Sequence, residues 1–212
     1  MTNEILVNFI QLAITGTCTA IALHRAVVRD SRAWVLLGLF YATFFMGDLY
    51  WSLMLAFYGD TPSYFYVSEI GWYSSFLFLD LLLRQLSSDE ETEYRPKALW
   101  AAPVFTAAMA VFYMQYGDYV SNTVVAVLMG ALLWRSIRGL VYINAGHGTS
   151  ADAMRRPLYL CVLGFCLIEY CEWTASCFMS KEDVMMLYLA FDTAITLILM
   201  LHIPALGKAV QK

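Results

Sequence analysis

"YVSEIGWYSSFLFLDLLLRQL", residues Tyr66 to Leu86, is apolar enough to cross a membrane, yet it carries two carboxylates, Glu69 and Asp80, with no basic residue between them. Whether this is a soluble core helix or a membrane span is decided by its surroundings. Of the 212 residues, 60% are hydrophobic and only 14% charged, and the mean hydropathy is +0.61. A soluble domain of this size needs far more polar cover, so the composition predicts an all-α, polytopic membrane protein.

A helical span needs about 20 mostly apolar residues, and such runs recur along the chain. Seven are expected, over 4–23, 33–57, 65–86, 98–115, 119–141, 157–179 and 184–206. Twelve of the thirteen Lys and Arg follow spans one, three, five and seven, from Arg25, Arg29 and Arg32 through Arg84, Arg95, Lys97, Arg135, Arg138, Arg155 and Arg156 to Lys208 and Lys212. Only Lys181 falls on the other side. Basic residues are retained in the cytoplasm during insertion, so the N-terminus is expected outside and the C-terminus inside the cytoplasmic membrane.

The connections "YGDTPSY", "YGDY" and "SKED" are short, whereas "SSDEETEYRPK" and "NAGHGTSADAMRR" read as flexible polar connectors. One domain, 1–212, is expected, without a soluble output module. The first segment lacks a basic n-region and a small-residue cleavage site and is read as a span. "GDLYWSLMLAFYGD" and "IEYCEWTASCF", each followed by an acid-bearing helix, share an order of acid, aromatic, turn and acid. That order suggests two parallel three-helix units about a linking fourth span, a 3+1+3 plan.

Six acids fall inside predicted spans: Asp48, Glu69, Asp80, Glu169, Glu172 and Asp192. No Lys or Arg is placed to neutralise them, apart from Arg84 at i+4 from Asp80. A charge in the bilayer centre costs roughly 2.5–3.5 kcal/mol even on the mild insertion scale, so protonation or a bound cation is expected to offset it. The topology puts Asp48, Glu69, Glu172 and Asp192 in the outer half, Glu169 near the middle and Asp80 toward the cytoplasm. Eleven residues separate Glu69 from Asp80, three turns plus about 20°, so the two share one face about 16 Å apart along the axis. Tyr73 and Phe76 share it.

Aromatic residues accompany the acids at helical spacing. Trp51 follows Asp48, Trp72 and Tyr73 follow Glu69, Trp173 follows Glu169, and Tyr188 and Thr196 flank Asp192. Carboxylates beside Trp and Tyr bind organic cations through charge and cation–π attraction; the competing reading is an interfacial aromatic belt. The five cysteines show no zinc or C-x-x-C spacing and read as packing residues, and the three histidines form no metal motif. No cofactor, metal or catalytic residue is expected, and the chain is read as a non-enzyme.

Seven spans, an exterior N-terminus, Glu69 followed by Tyr73, Ser74 and then Asp80, and Asp192 in span seven resemble the microbial rhodopsins. In that family a helix-three counterion is followed by hydroxyl residues and, eleven positions on, by a second carboxylate, and helix seven carries an aspartate four residues before the retinal-binding lysine. Here Thr196 stands at that fourth position, and Tyr66 stands where the family has an arginine before the counterion. The resemblance therefore implies the scaffold without a retinal Schiff base.

The function expected from these observations is a small membrane transporter. Its outer pocket of Asp48, Trp51, Glu69, Trp72, Tyr73, Glu169, Glu172, Trp173, Tyr188, Asp192 and Thr196 would bind a small cationic solute. Proton exchange would use Glu69, Asp192 or Glu169, with Asp80 as inner relay. The alternative is a non-photoactive, rhodopsin-like seven-helix ligand sensor or accessory membrane subunit. The partners expected are membrane lipid and a small-molecule solute; a homo-oligomer is compatible with the sequence, and no nucleic acid is expected.

Overall fold

The computed structural model describes residues 2–59, 66–178 and 182–211. Within them every regular element is helical: α1 (Thr2–Arg29), α2 (Arg32–Tyr58), α3 (Tyr66–Leu86), α4 (Asp89–Glu93), a 3-10 turn (Lys97–Trp100), α5 (Ala101–Tyr113), α6 (Tyr119–Asn144), α7 (Ser150–Ala153), α8 (Arg156–Ser176) and α9 (Glu182–Ala209). Most of "YGDTPSY", the Ser180–Lys181 part of "SKED" and Lys212 lie outside the described residues. Lys181, the lone basic residue expected on the exterior, is therefore not placed.

Five segments are long and apolar enough to cross a membrane: Ile5–Arg29, Arg32–Tyr58, Tyr119–Asn144, Ser150–Ser176 and Met185–Ala209. The all-helical fold with these five segments is consistent with a helical membrane protein. The stretch 97–113 is a shorter apolar helix, and α3 is diluted by Glu69, Asp80 and Arg84. Large apolar side chains such as Ile70, Val104, Val111, Val127 and Leu197 are exposed on the outside of the bundle. In water such a surface would drive association; in hydrocarbon it is the expected lipid-facing coat.

The helices pack in a closed ring. Neighbours are α1 with α2, α2 with α3, α3 with α6, α6 with α8, α8 with α9, and α9 with α1, while α5 lies outside against α6. Helices α2 and α3 meet backbone to backbone. A Cβ on Gly71 would meet the backbone nitrogen of Gly47 at 2.7 Å, and one on Gly47 would meet the Ser68 carbonyl at 2.8 Å. Only glycine at both positions lets the two backbones touch, the small-residue device of membrane helix pairs.

At the end of the bundle where α2, α5 and α8 begin, the core is dry. Trp34, Leu37, Phe40, Leu79, Leu83, Met129, Leu132 and Leu199 are buried there. His202 is buried among them, with its ring 5.7 Å from that of Phe40.

The two polar connectors at that end are ordered, against the expectation of flexible links. Ser88 caps α4 and Thr149 caps α7 in a capping box with Asp152. Glu91 is wholly buried. It accepts from Tyr159 at 2.8 and 3.0 Å and from Ser87 at 3.1 Å, and it lies 3.4 Å from Arg155. Arg155 also pairs with Asp152 and donates to the Leu86 carbonyl. A buried carboxylate held by this many donors pins its loop, which a reading of loop composition could not anticipate.

Candidate functional site

The other half of the ring is hollow. A cavity of about 700 Å³ opens among the N-terminal parts of α1, α3, α6 and α9 and the C-terminal parts of α2 and α8. Asp48, Trp51, Glu69, Trp72, Tyr73, Glu169, Glu172, Trp173, Tyr188 and Asp192 all line it. Residues scattered over four helices and 145 positions of chain thus meet in one chamber.

Each wall has a local reason for its geometry. The Gly47–Gly71 contact sets Trp72 against α2, where its Nε1 donates to Asp48 Oδ1 at 3.0 Å. Trp51 stacks obliquely on Trp72, the ring centres 6.0 Å apart. Across the chamber Tyr113 of α5 bonds the Tyr170 carbonyl and the Thr174 hydroxyl, both at 2.8 Å, and meets Trp173 edge-on at 6.0 Å. On the α6 side Asp118 caps the helix by accepting from the Ser121 amide at 2.9 Å, and the Ser121 hydroxyl lies 2.9 Å from each Glu69 oxygen.

The α1–α9 seam supplies what the sequence reading missed. Gln11 Nε2 donates to Asp192 Oδ1 at 2.7 Å and to Thr196 Oγ1 at 3.1 Å. Thr196 returns its own hydroxyl to the Asp192 carbonyl at 3.0 Å and is not one of the lining residues. It serves as a prop for Gln11 instead of a wall residue. Asn8 and Gln11, three apart on α1, were legible as paired polar residues in an apolar segment. Asp118 was not, because its turn read only as a connection.

The floor is aromatic. Phe44 and Phe76 line the chamber where it meets the apolar half, and Phe165 packs behind them, 6.2 Å from Phe44 and 5.8 Å from Phe76. Phe40 and His202 pack beneath Phe165.

Asp80 does not belong to the cavity. It lies beyond the floor and pairs with Arg135 of α6, while Arg84 is exposed. This corrects the expectation that no basic residue except Arg84 neutralises a span acid: the partner comes from another helix. Helical periodicity ranks only neighbours on the same helix, so it could not reveal Arg135.

Asp48, Glu69, Asp118, Glu169, Glu172 and Asp192 line the chamber, and among the described residues no Lys, Arg or His does. Asn8 Nδ2, Asp48 Oδ2 and Ser52 Oγ, all on lining residues, are buried without a hydrogen-bond partner among the described residues. Buried polar groups are normally paired, so these are groups a bound molecule can satisfy. No cluster of three metal-ligating side chains occurs among the described residues. A chamber of this volume suits a small organic molecule, and its charge and aromatic walls suit a cation. No protein-family model, no curated protein and no solved structure matches this chain.

Proposed function

We propose that the chain is a small transporter of the cytoplasmic membrane that accepts an organic cation in the acidic, aromatic chamber. The observation that carries this reading is the lining itself: six carboxylates and a set of Trp and Tyr rings around one cavity with no basic side chain among the described residues. Charge attraction and cation–π contacts act together on such a ligand.

In this reading α3 and the 97–113 segment also span, giving seven spans with the N-terminus and the chamber outside and the basic loops in the cytoplasm. The helices would work as two trios, α1–α2–α3 and α6–α8–α9, with α5 as the linker. Packing supports the plan, since each trio is sequential and the trios meet at α3–α6 and α9–α1. A shared spacing supports it too: Phe44 precedes Asp48 by four residues on the middle helix of one trio, and Phe165 precedes Glu169 by four on that of the other. Rocking of the trios would part the phenylalanine floor and pass the solute inward. Proton exchange on Glu69, Glu169 or Asp192 would couple the cycle, and Asp80, held by Arg135, is assigned to structure.

Purified protein in liposomes tests the reading. Flux of an organic cation such as butylamine down an imposed gradient is expected; binding without flux would overturn it. Binding alone would establish the second reading, a ligand sensor, which the packed phenylalanines beneath the chamber favour.

A further inference from the structure

The carboxylates of the chamber are layered. Asp48 and Glu169 each stand four residues above a phenylalanine of the floor, Phe44 and Phe165. With 1.5 Å of rise per residue these two form a deep tier about 6 Å above the floor. Glu69 stands seven residues above Phe76, and Glu172 seven above Phe165. These two form a rim tier about 10 Å above it.

The tiers therefore lie roughly one helical turn apart, both above the Phe76–Phe165 contact. A single ammonium group can reach one tier and leaves the other uncompensated. Like-charged carboxylates crowded into a low-dielectric chamber repel one another, so a second positive charge at the other tier gains most. Asp48 Oδ2 in the deep tier and Ser52 Oγ one turn further out, at the level of the rim, have no hydrogen-bond partner, and they offer acceptors to bound N–H groups at both levels.

We infer that the chamber is built for a dication with its two amines about one helical turn apart, an α,ω-diamine or a longer polyamine, with one ammonium at Asp48 and Glu169 and the other at Glu69 and Glu172. The inference rests on the organic-cation reading of the same cavity and deepens it. The aliphatic stem between the two amines would lie against Trp72 and Tyr73, apolar surfaces that favour methylenes over water.

Calorimetric titration of the purified full chain in detergent micelles tests this with two probes of equal carbon length, butylamine and diaminobutane. Diaminobutane is expected to bind about tenfold more tightly, a factor equal to about 1.4 kcal/mol. Glu69→Gln and Glu172→Gln should each weaken diaminobutane more than butylamine and so reduce that preference, whereas Asp48→Asn should weaken both probes alike. Helix content by circular dichroism checks folding, and if Glu172→Gln does not fold, Glu69→Gln decides alone.

Equal affinities, a preference that survives the rim substitutions, or no binding of either amine would each overturn the inference. The micelle assay requires no flux. Preference without flux would sink transport and uphold the dication, whereas butylamine flux without preference would do the reverse.

Discussion

Glu69 and Asp80, three turns apart on one face of α3, are both held by α6, Glu69 by Ser121 in the chamber wall and Asp80 by Arg135 beyond its floor. Their partners are fourteen residues apart, three more than the acids themselves. The length of the arginine side chain takes up the difference, reaching back toward α3 where the serine needs only a short contact. One face of α3 thus carries two different jobs, separated by Phe76.

Asp80→Asn and Arg135→Gln should each lower thermal stability, because either leaves a largely buried partner charged and unpaired. Loss of one member of such a pair costs on the order of 2 kcal/mol or more. The double substitution should cost less than the sum of the two. Thermal unfolding of the four proteins in detergent measures this coupling; strict additivity would mean that the pair does not act as one. In liposomes, whatever folded Asp80→Asn protein remains should retain flux and its pH dependence, whereas a relay residue would lose the latter.

Gly71→Ala should loosen the α2–α3 seam, because its added methyl meets Gly47 backbone atoms at 2.7 and 2.8 Å. Overpacking of this kind costs typically about 1–3 kcal/mol. As the seam opens, Trp72 withdraws from Asp48, so tryptophan fluorescence should shift and amine binding should weaken together. Normal binding with unchanged melting would show that the seam tolerates separation.

Asp192→Asn and Glu69→Gln keep shape and remove charge, so both should fold and bind butylamine more weakly. Trp173→Ala should weaken butylamine more than the neutral butanol of similar size, since a cation–π contact contributes about 0.5–2 kcal/mol to a cation alone. Titration of both probes separates this from packing, for which the two losses would match.

Glu91→Ala should release the loop between α3 and the 97–113 helix, since it leaves Arg155 and Tyr159 without their buried acceptor. A glutamate-specific protease should then cut after Glu93, where the parent protein should resist it, and the melting temperature should fall. An unchanged digestion pattern would argue that Arg138, which donates to the Thr92 carbonyl at 3.2 Å, holds the loop unaided.

A reporter fused after Lys212, or inserted between residues 87 and 94, should read out a cytoplasmic location, and one inserted between 58 and 63 an exterior location. An exterior C-terminus would remove the seven-span orientation and turn the chamber to the other side.

The membrane class and the identity of most wall residues were legible in the sequence, because apolar run length is a local property and an acid inside such a run announces its own cost. The shared face of Glu69 and Asp80 was legible too, since the rise and turn of one helix dictate it. Partnership between helices was not: that Arg135 neutralises Asp80, that Gln11 braces Asp192 from α1, and that Glu91 folds a polar loop under the bundle depend on which helices become neighbours. The phenylalanine floor between Asp80 and the other acids was equally hidden, because Phe44, Phe76 and Phe165 look like any other apolar residues until three helices bring them together. Helical geometry sets which side chains share a face, and only tertiary packing decides what that face meets.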